Sequence, residues 1–535
     1  MLLNNRFSLK FITLIKLYPL RPIIAIPLLG VFALSLIYSC KHEPPSASAA
    51  ITNSNFPTEI ANIFVTKCAI SGCHNAASYK NADGLQLDTW DHLFNGDNSG
   101  AAVVPYSPQY SPLMYFINTD ASKGTVLTPT MPYNTAGTPL QPPLTAAEYT
   151  TIYNWIAKGA PDKNGNIPFG SNPDGRQKIY VTMGDQVAKK NIIAVIDADR
   201  RVVMRYITAG DSPFSYQSPH DIAISGDGMS AYVCFIAGHY ISKIDTRIDK
   251  QSILGNLFGS TGGIDNSEWG IMCLAPDNSK LLLNQFTGSG GVITIDPTSM
   301  TVVPHGYYHS LVSPHGMVAN NTFDTFYVTS EYGNTVYRVF SDPGIKAQQI
   351  SIDTFGPRTT GGFNPDGTPT PDPHQIVMSP DGNRYFVSCE NSNEVRIMDT
   401  HADTLIKVIK VDSFPQEITM SSTKPYIFVP CMRELHKSVP TGFQGSVYVI
   451  NYNTYDVVKV LNGQFSQPHE VAVDDRNGVV YIISTNNGGL ATHHPVLGAS
   501  VGWYNLYDLN TLTPINIQRY ELLSVPYTAD ARFGN

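Results

Sequence analysis

Cys68, Cys73 and His74 form the most chemically specific cluster in the chain, in the order Cys68-Ala69-Ile70-Ser71-Gly72-Cys73-His74. Two thiols followed at once by an imidazole can hold a haem. The sulfurs bond the porphyrin and the histidine takes one axial place on the iron. The usual attachment motif leaves two residues between the cysteines. Here there are four, so the intervening loop must bulge for both sulfurs to reach one porphyrin. Downstream, Thr130-Met131-Pro132 lies in a Pro- and Gly-rich loop. The Met131 thioether can take the second axial place, and Met/His ligation raises a reduction potential. Two other readings compete. One is a Cys68–Cys73 disulfide in a haemless domain, with Met131 as ordinary packing. The other is zinc, which would need a second cysteine pair that does not follow.

A second set of possible ligands is spread through the C-terminal two-thirds. His220, His315, His374 and His469 each follow a proline, and each stands twelve residues before the middle of an apolar, mostly aromatic strand segment. Gly270 and Gln416 hold the same place in two further units, and Tyr527 completes the series. Imidazole is the commonest metal ligand, and a ring of histidines suits copper or zinc. The plainer reading is that Pro-His opens a strand and the imidazole bonds neighbouring backbone.

The elements that would position the first cluster are helical. Thr58–Lys67 carries Ile60, Ile63 and Phe64 on one face. Thr145 with Glu148 three residues on reads as a capping box, opening a helix with Ile152, Trp155 and Ile156 that ends near Gly159. Other features are Gly84-Leu85-Gln86-Leu87-Asp88, Val104-Pro105, Ser111-Pro112-Leu113, Met131-Pro132 and Trp155-Ile156-Ala157-Lys158-Gly159-Ala160. Together with Cys68, Cys73 and His74 they make residues 51–162 resemble the cytochrome c domains of secreted Planctomycete and Bacteroidetes proteins. That resemblance implies one c-type haem and electron transfer.

The second set rests on a repeat of roughly 50 residues, a period typical of propellers. Strands centred on Tyr180, Tyr232, Leu282, Tyr327, Phe386, Phe428 and Tyr481 recur with the same surroundings. An inner strand leads to a tight turn such as Ser379-Pro380-Asp381-Gly382, then the aromatic strand, then a strand ending in Asp such as Val395–Asp399. Seven copies predict an all-β seven-bladed propeller over residues 178–535, and the pattern resembles secreted YVTN-type propellers. The first unit lacks its inner strand, which Pro526-Tyr527-Thr528-Ala529 can supply, leaving no open sheet edge. In that topology the four histidines converge near one mouth of the channel. His239, His309, His436, His493 and His494 fall in loops on the same face, with the long segments Arg433–Gln444 and Asn486–Ser500. Cys234, Cys273, Cys389 and Cys431 lie on strands of four different blades and read as buried thiols.

The N-terminus reads as an address. Residues 1–39 carry Arg6, Lys10, Lys16 and Arg21, no acid, and an apolar run from Ile23 to Tyr38 that is short for a bilayer span. Ile37-Tyr38-Ser39-Cys40 resembles a bacterial lipobox, which implies a lipidated Cys40 after cleavage. Residues 40–50 then form a tether, and 163–177 a linker between the two domains. A net charge of −8 and only 15% charged residues exclude a nucleic-acid partner and a disordered chain. The expected protein is an electron carrier, lipid-anchored on the periplasmic or cell-surface side of a bacterial membrane. Its partner would be a redox protein or a small-molecule donor or acceptor, and its propeller a docking platform. The alternatives are a redox enzyme with copper or zinc on the propeller histidines, and a haemless surface-binding module.

Overall fold

The computed structural model describes residues 47–134, 141–170, 174–185, 189–211, 217–257, 269–287, 290–342, 344–435, 442–486, 501–515 and 518–533. The expected signal, Cys40, His436, His493 and His494 lie outside the described residues, and so does the side chain of His309. Residues from Ile51 onward form one compact unit. No described helix is long and apolar enough to cross a membrane.

The N-terminal part is built from short helices: α1 (Ala47–Asn53), α2 (Thr58–Ile63), α3 (Trp90–Leu93), α4 (Pro112–Ile117) and α5 (Ala146–Ala157). The capping box that opens α5 is formed on both sides. Thr145 Oγ1 accepts from the Glu148 amide at 3.2 Å, and Glu148 Oε2 accepts from the Thr145 amide at 2.8 Å. The buried face of α5 carries Ile152, Trp155 and Ile156. The rings of Phe56, Phe64 and Trp155 meet edge to face with centroids 5.3 to 6.0 Å apart. α2 stops earlier than the apolar spacing predicts. From Phe64 to Cys68 the backbone widens into a π-helical turn, with the Ala69 amide bonding the Phe64 carbonyl at 2.7 Å. The wider turn keeps Phe64 in the core and carries Cys68 to its edge. Such turns recur at functional sites.

From Lys178 onward the chain forms seven antiparallel sheets. Six have four strands. In the sixth blade the inner strand is broken into Ser413–Pro415 and Thr419–Met420. Closure follows the sequence expectation. The last strand, Pro526–Ala531, pairs inside Lys178–Asp185 in the register Ile179↔Ala531, Val181↔Ala529 and Met183↔Pro526. The seven mid-strand residues from Tyr180 to Tyr481 are all buried. Each packs into a core shared with the next blade: Tyr232 with Trp269 and Leu283, Phe428 with Val471 and Val480, Tyr481 with Ile179 and Val181. Burying these side chains between blades is the main favourable term holding the ring together.

The helical part sits on the rim of the first and last blades. Val104 joins the core of Val203 and Leu522, on the outer strands of those two blades. Tyr110 meets Tyr206 edge-on at 5.3 Å, and the Glu521 amide donates to the Ser99 carbonyl at 2.9 Å. Residues 163–170 and 174–177 are folded onto this junction. Phe169 packs against Phe94 at 5.9 Å and lies under the Arg200 guanidinium at 5.3 Å. Asp174 pairs with Lys178 at 3.0 Å.

Candidate functional site: a haem-sized pocket and a histidine-lined channel

The Cys68–His74 loop and the distant Met131, both named by the sequence, reach one cavity. Cys68, Cys73, His74 and Met131 all line a pocket of about 370 Å³ in the helical domain. That volume falls in the usual range for cofactor sites. Its walls are largely apolar, with Leu85, Leu87, Ala102, Leu113, Phe116 and Ile117. The bulge expected of the four-residue loop is present. The Cys73 amide bonds the Ile70 carbonyl at 3.0 Å, the His74 amide bonds the Cys68 carbonyl at 3.1 Å, and Gly72 turns through φ +82°. A side chain at that φ would be strained. From the opposite side, the Met131 amide donates to Phe116 at the end of α4 at 2.7 Å. That bond fixes the methionine loop to the pocket wall.

The electrostatics suit a haem better than the competing readings. His74 Nδ1 lies 3.0 Å from the Leu85 carbonyl oxygen. A carbonyl can only accept, so Nδ1 carries the proton and Nε2 keeps its lone pair. Burial lowers the His74 pKa, with the Leu85 bond opposing, so the ring is held neutral as an iron ligand must be. Burial pushes the Cys68 thiol up to about 12, and the neighbouring Cys73, itself raised by burial, adds to the effect. None of the six described cysteines is in a disulfide, so the Cys68–Cys73 bridge is not formed. The pocket therefore fits the group: an apolar slot, two thiols on one wall, an oriented imidazole and a thioether. The sequence reading missed Asp97, which lines the same cavity and is pushed up to about 7 by burial, with Asp83 and Glu521 adding like charge. No spacing pattern marks it.

In the propeller, the predicted register converges. His220, His315, His374 and His469 are buried on inner strands together with Tyr527, and Gln416 is buried in the break of the sixth blade's inner strand. Ring centroids lie 4.3 Å apart for His315–His374, 4.0 Å for His469–Tyr527, 4.7 Å for His220–Tyr527 and 6.3 Å for His220–His315 and His374–His469. The plainer reading of Pro-His also holds for two members. His220 Nδ1 bonds the Gly270 carbonyl of the next blade at 3.1 Å, and His315 Nδ1 bonds the His374 carbonyl at 3.3 Å. These carbonyls are available because inner-strand pairing slips just after the histidine, as between Pro314 and Met317. Second-strand side chains serve them too. Cys234 Sγ donates to the Gly270 carbonyl at 2.9 Å and Thr329 Oγ1 to the His374 carbonyl at 2.7 Å.

The channel is also acidic, which the histidine register did not reveal. Asp221, Glu417 and Glu470 each follow a channel residue and are buried. Glu390 ends a second strand, with Oε1 3.6 Å from His374 Nε2. Burial raises the pKa of Asp221 to about 6 and of Glu390 to about 7, and pushes Glu417 well up. The four histidines do not act as one ligand set. The close grouping is His315, His374 and Glu417.

A model of the family described as Planctomycete cytochrome C matches residues 71–126, a span holding Cys73 and His74. No curated protein matches the chain. Among solved structures the chain is similar to the hydrazine synthase of Kuenenia stuttgartiensis, at 15% identity and a TM-score of 0.41, covering 58% of this chain and 86% of that one. It is also similar to a functionally unknown protein from Desulfotomaculum acetoxidans, at 14% identity and a TM-score of 0.44, covering 66% and 100%. A third is the dihydro-haem d1 dehydrogenase NirN in complex with DHE, at 12% identity and a TM-score of 0.43, covering 72% and 86%. No comparison points to copper or zinc.

Proposed function

We propose that the protein transfers electrons outside the cytoplasm through one c-type haem. Cys68 and Cys73 would attach it, and His74 and Met131 would be its axial ligands. One observation carries this reading: the two thiols and the imidazole of the Cys68–His74 loop and the thioether of the distant Met131 line one apolar cavity. Bound there, haem supplies one-electron chemistry. The Leu85 carbonyl orients His74 and fixes its tautomer. The Phe116 carbonyl holds the Met131 loop. Leu85, Leu87, Leu113 and Ile117 keep water from the pocket, which favours the less charged state of a buried redox centre.

The propeller is read as the platform on which a redox partner protein docks, or beside which a small donor or acceptor is held. The lipobox-like ending at Cys40 supports a lipid-anchored protein on the periplasmic or cell-surface side.

Expression of the full chain in a haem-replete, exporting host tests the reading. A covalent haem stain on a denaturing gel and a reduced c-type spectrum are expected. Both are expected to vanish in the Cys68→Ala/Cys73→Ala double variant. A folded wild-type protein without covalent haem would overturn the proposal. Membrane-fraction recovery lost on Cys40→Ser tests the anchor.

A further inference from the structure

His315 and His374 stand on the inner strands of two adjacent blades and Glu417 in the break of the next blade's inner strand, remote in sequence from the Cys68–Met131 pocket. One ligand atom from each lies within 4.8 Å of the other two, and all three side chains are buried. The two imidazoles are 4.3 Å apart and tilted by 40°. Glu417 Oε1 is 3.9 Å from His374 Nδ1. The other oxygen of Glu417 is held by Gln375 Nε2. Oε1 accepts no hydrogen bond among the described residues. A buried carboxylate oxygen without a donor is expensive, and this one faces an imidazole.

Charge points the same way. The groups acting on Glu417 by charge are Glu470, Asp221 and Glu390, all acidic. Among the described residues, no lysine or arginine pairs with Asp221, Glu417 or Glu470. A divalent ion among these acids would take the place of protons that burial otherwise holds on them.

The supporting contacts are those of a ligand set. A metal-bound histidine usually gives its second ring nitrogen to a carbonyl or carboxylate. His315 Nδ1 bonds the His374 carbonyl at 3.3 Å, so Nδ1 carries the proton and Nε2 the lone pair. Behind the Nδ1 of His374 that faces Glu417, its Nε2 has Glu390 Oε1 at 3.6 Å. Donors on one ion at about 2.0–2.1 Å stand roughly 3.4 Å apart. Closure from the observed spread therefore takes about an ångström of side-chain movement.

We infer that His315, His374 and Glu417 bind a divalent transition-metal ion inside the propeller channel. Two imidazoles and one carboxylate leave coordination positions open and suit a borderline ion such as zinc or iron(II), not the all-oxygen preference of calcium or magnesium. The carboxylate replaces the third and fourth histidines of the sequence expectation.

The test uses the full chain, stripped with chelator, reloaded with Zn(II), desalted and assayed for zinc by elemental analysis. About one zinc per chain is expected, falling at least tenfold in His374→Ala and in Glu417→Gln, a near-isosteric change. Wild-type protein that retains no zinc, or variants that retain as much as wild type, would overturn the inference. If either variant fails to fold, Co(II) added to wild type decides. Intense visible bands of a four- or five-coordinate site support it, and only the weak spectrum of hydrated cobalt overturns it. The Cys68→Ala/Cys73→Ala variant is expected to keep its zinc, so failure of the haem reading and failure of this one are separately visible.

Discussion

The imidazole of His74 and the carbonyl of Leu85 are joined by a 3.0 Å hydrogen bond across the haem-sized pocket wall, which sets the tautomer without any charged partner. A backbone bond ties the same two segments, since the Leu87 amide donates to the His74 carbonyl at 2.8 Å. His74 is thus oriented by main chain, and its loss should affect ligation more than attachment. His74→Ala is expected to retain the covalent haem stain while losing the low-spin spectrum of the six-coordinate iron. Loss of the stain together with the spectrum would show that His74 is needed earlier, for attachment.

Met131 is held by its amide and presents only its side chain to the cavity. Met131→His should therefore keep the loop while exchanging a thioether for an imidazole. Since Met/His ligation raises the potential, the variant is expected to fall by on the order of 0.1 V within the ~0.8 V span that axial ligands control. A redox titration that leaves the midpoint unmoved would remove Met131 from the ligand set.

Lys178 is buried where the linker meets the first two blades. Its ammonium contacts Asp249 at 2.9 Å, Asp174 at 3.0 Å and the Thr246 carbonyl at 2.8 Å, and Asp249 also accepts from the Tyr180 hydroxyl at 2.6 Å. Lys178→Met removes the buried cation shared by Asp174 and Asp249, which keep Arg176 and Arg205, and is expected to cost about 3 kcal/mol. Tyr180→Phe removes one bond and should cost about 1–3 kcal/mol, because its acceptor is ionised. Urea unfolding of the two variants checks both the size and the order.

Acidity should stabilise the metal-free propeller. Burial raises the carboxyls of Asp221 to about 6, Glu390 to about 7 and Asp530 to about 7, from ordinary values of 3.8 to 4.5. Through that window the fold keeps protons that the unfolded chain has released, so stability falls as pH rises from about 4 to about 7. His74, lowered by burial, works in the opposite sense below about 6.5, but it is outweighed by the raised carboxyls, which include Asp97 and Glu470 as well. The melting temperature in chelator is expected to be higher near pH 5 than near pH 8, and Asp530→Asn should flatten the difference. A profile that rises with pH would contradict these assignments.

Much of this was legible because backbone periodicity carries it. The offset between each Pro-X pair and its aromatic strand is set by the length of one hairpin, so the convergence of His220, His315, His374 and His469 could be read from spacing. Glu417 could not. It follows Gln416, in the one blade whose inner strand is broken, and an acid after a polar residue has no pattern of its own. Glu390 was hidden for another reason: it ends a second strand, and only the twist of the blade turns it toward His374. The rim contact was equally illegible. Tyr110, Val104 and Phe169 read as ordinary apolar residues of a small domain and a linker. Their partners Tyr206, Leu522 and Arg200 are remote in sequence, brought close only when the ring closes.

That closure has a consequence for how the molecule comes into being. Synthesis runs from the N-terminus, so the helical domain emerges first and the residues that seat Ser99 and Val104 on the last blade, Glu521 and Leu522, emerge almost last. The strand that completes the first blade follows them. The helical domain must therefore wait for Glu521 and Leu522 before it finds its neighbour. A chain stopped short of Tyr520 loses more than one strand: it releases the first domain from half of its seat.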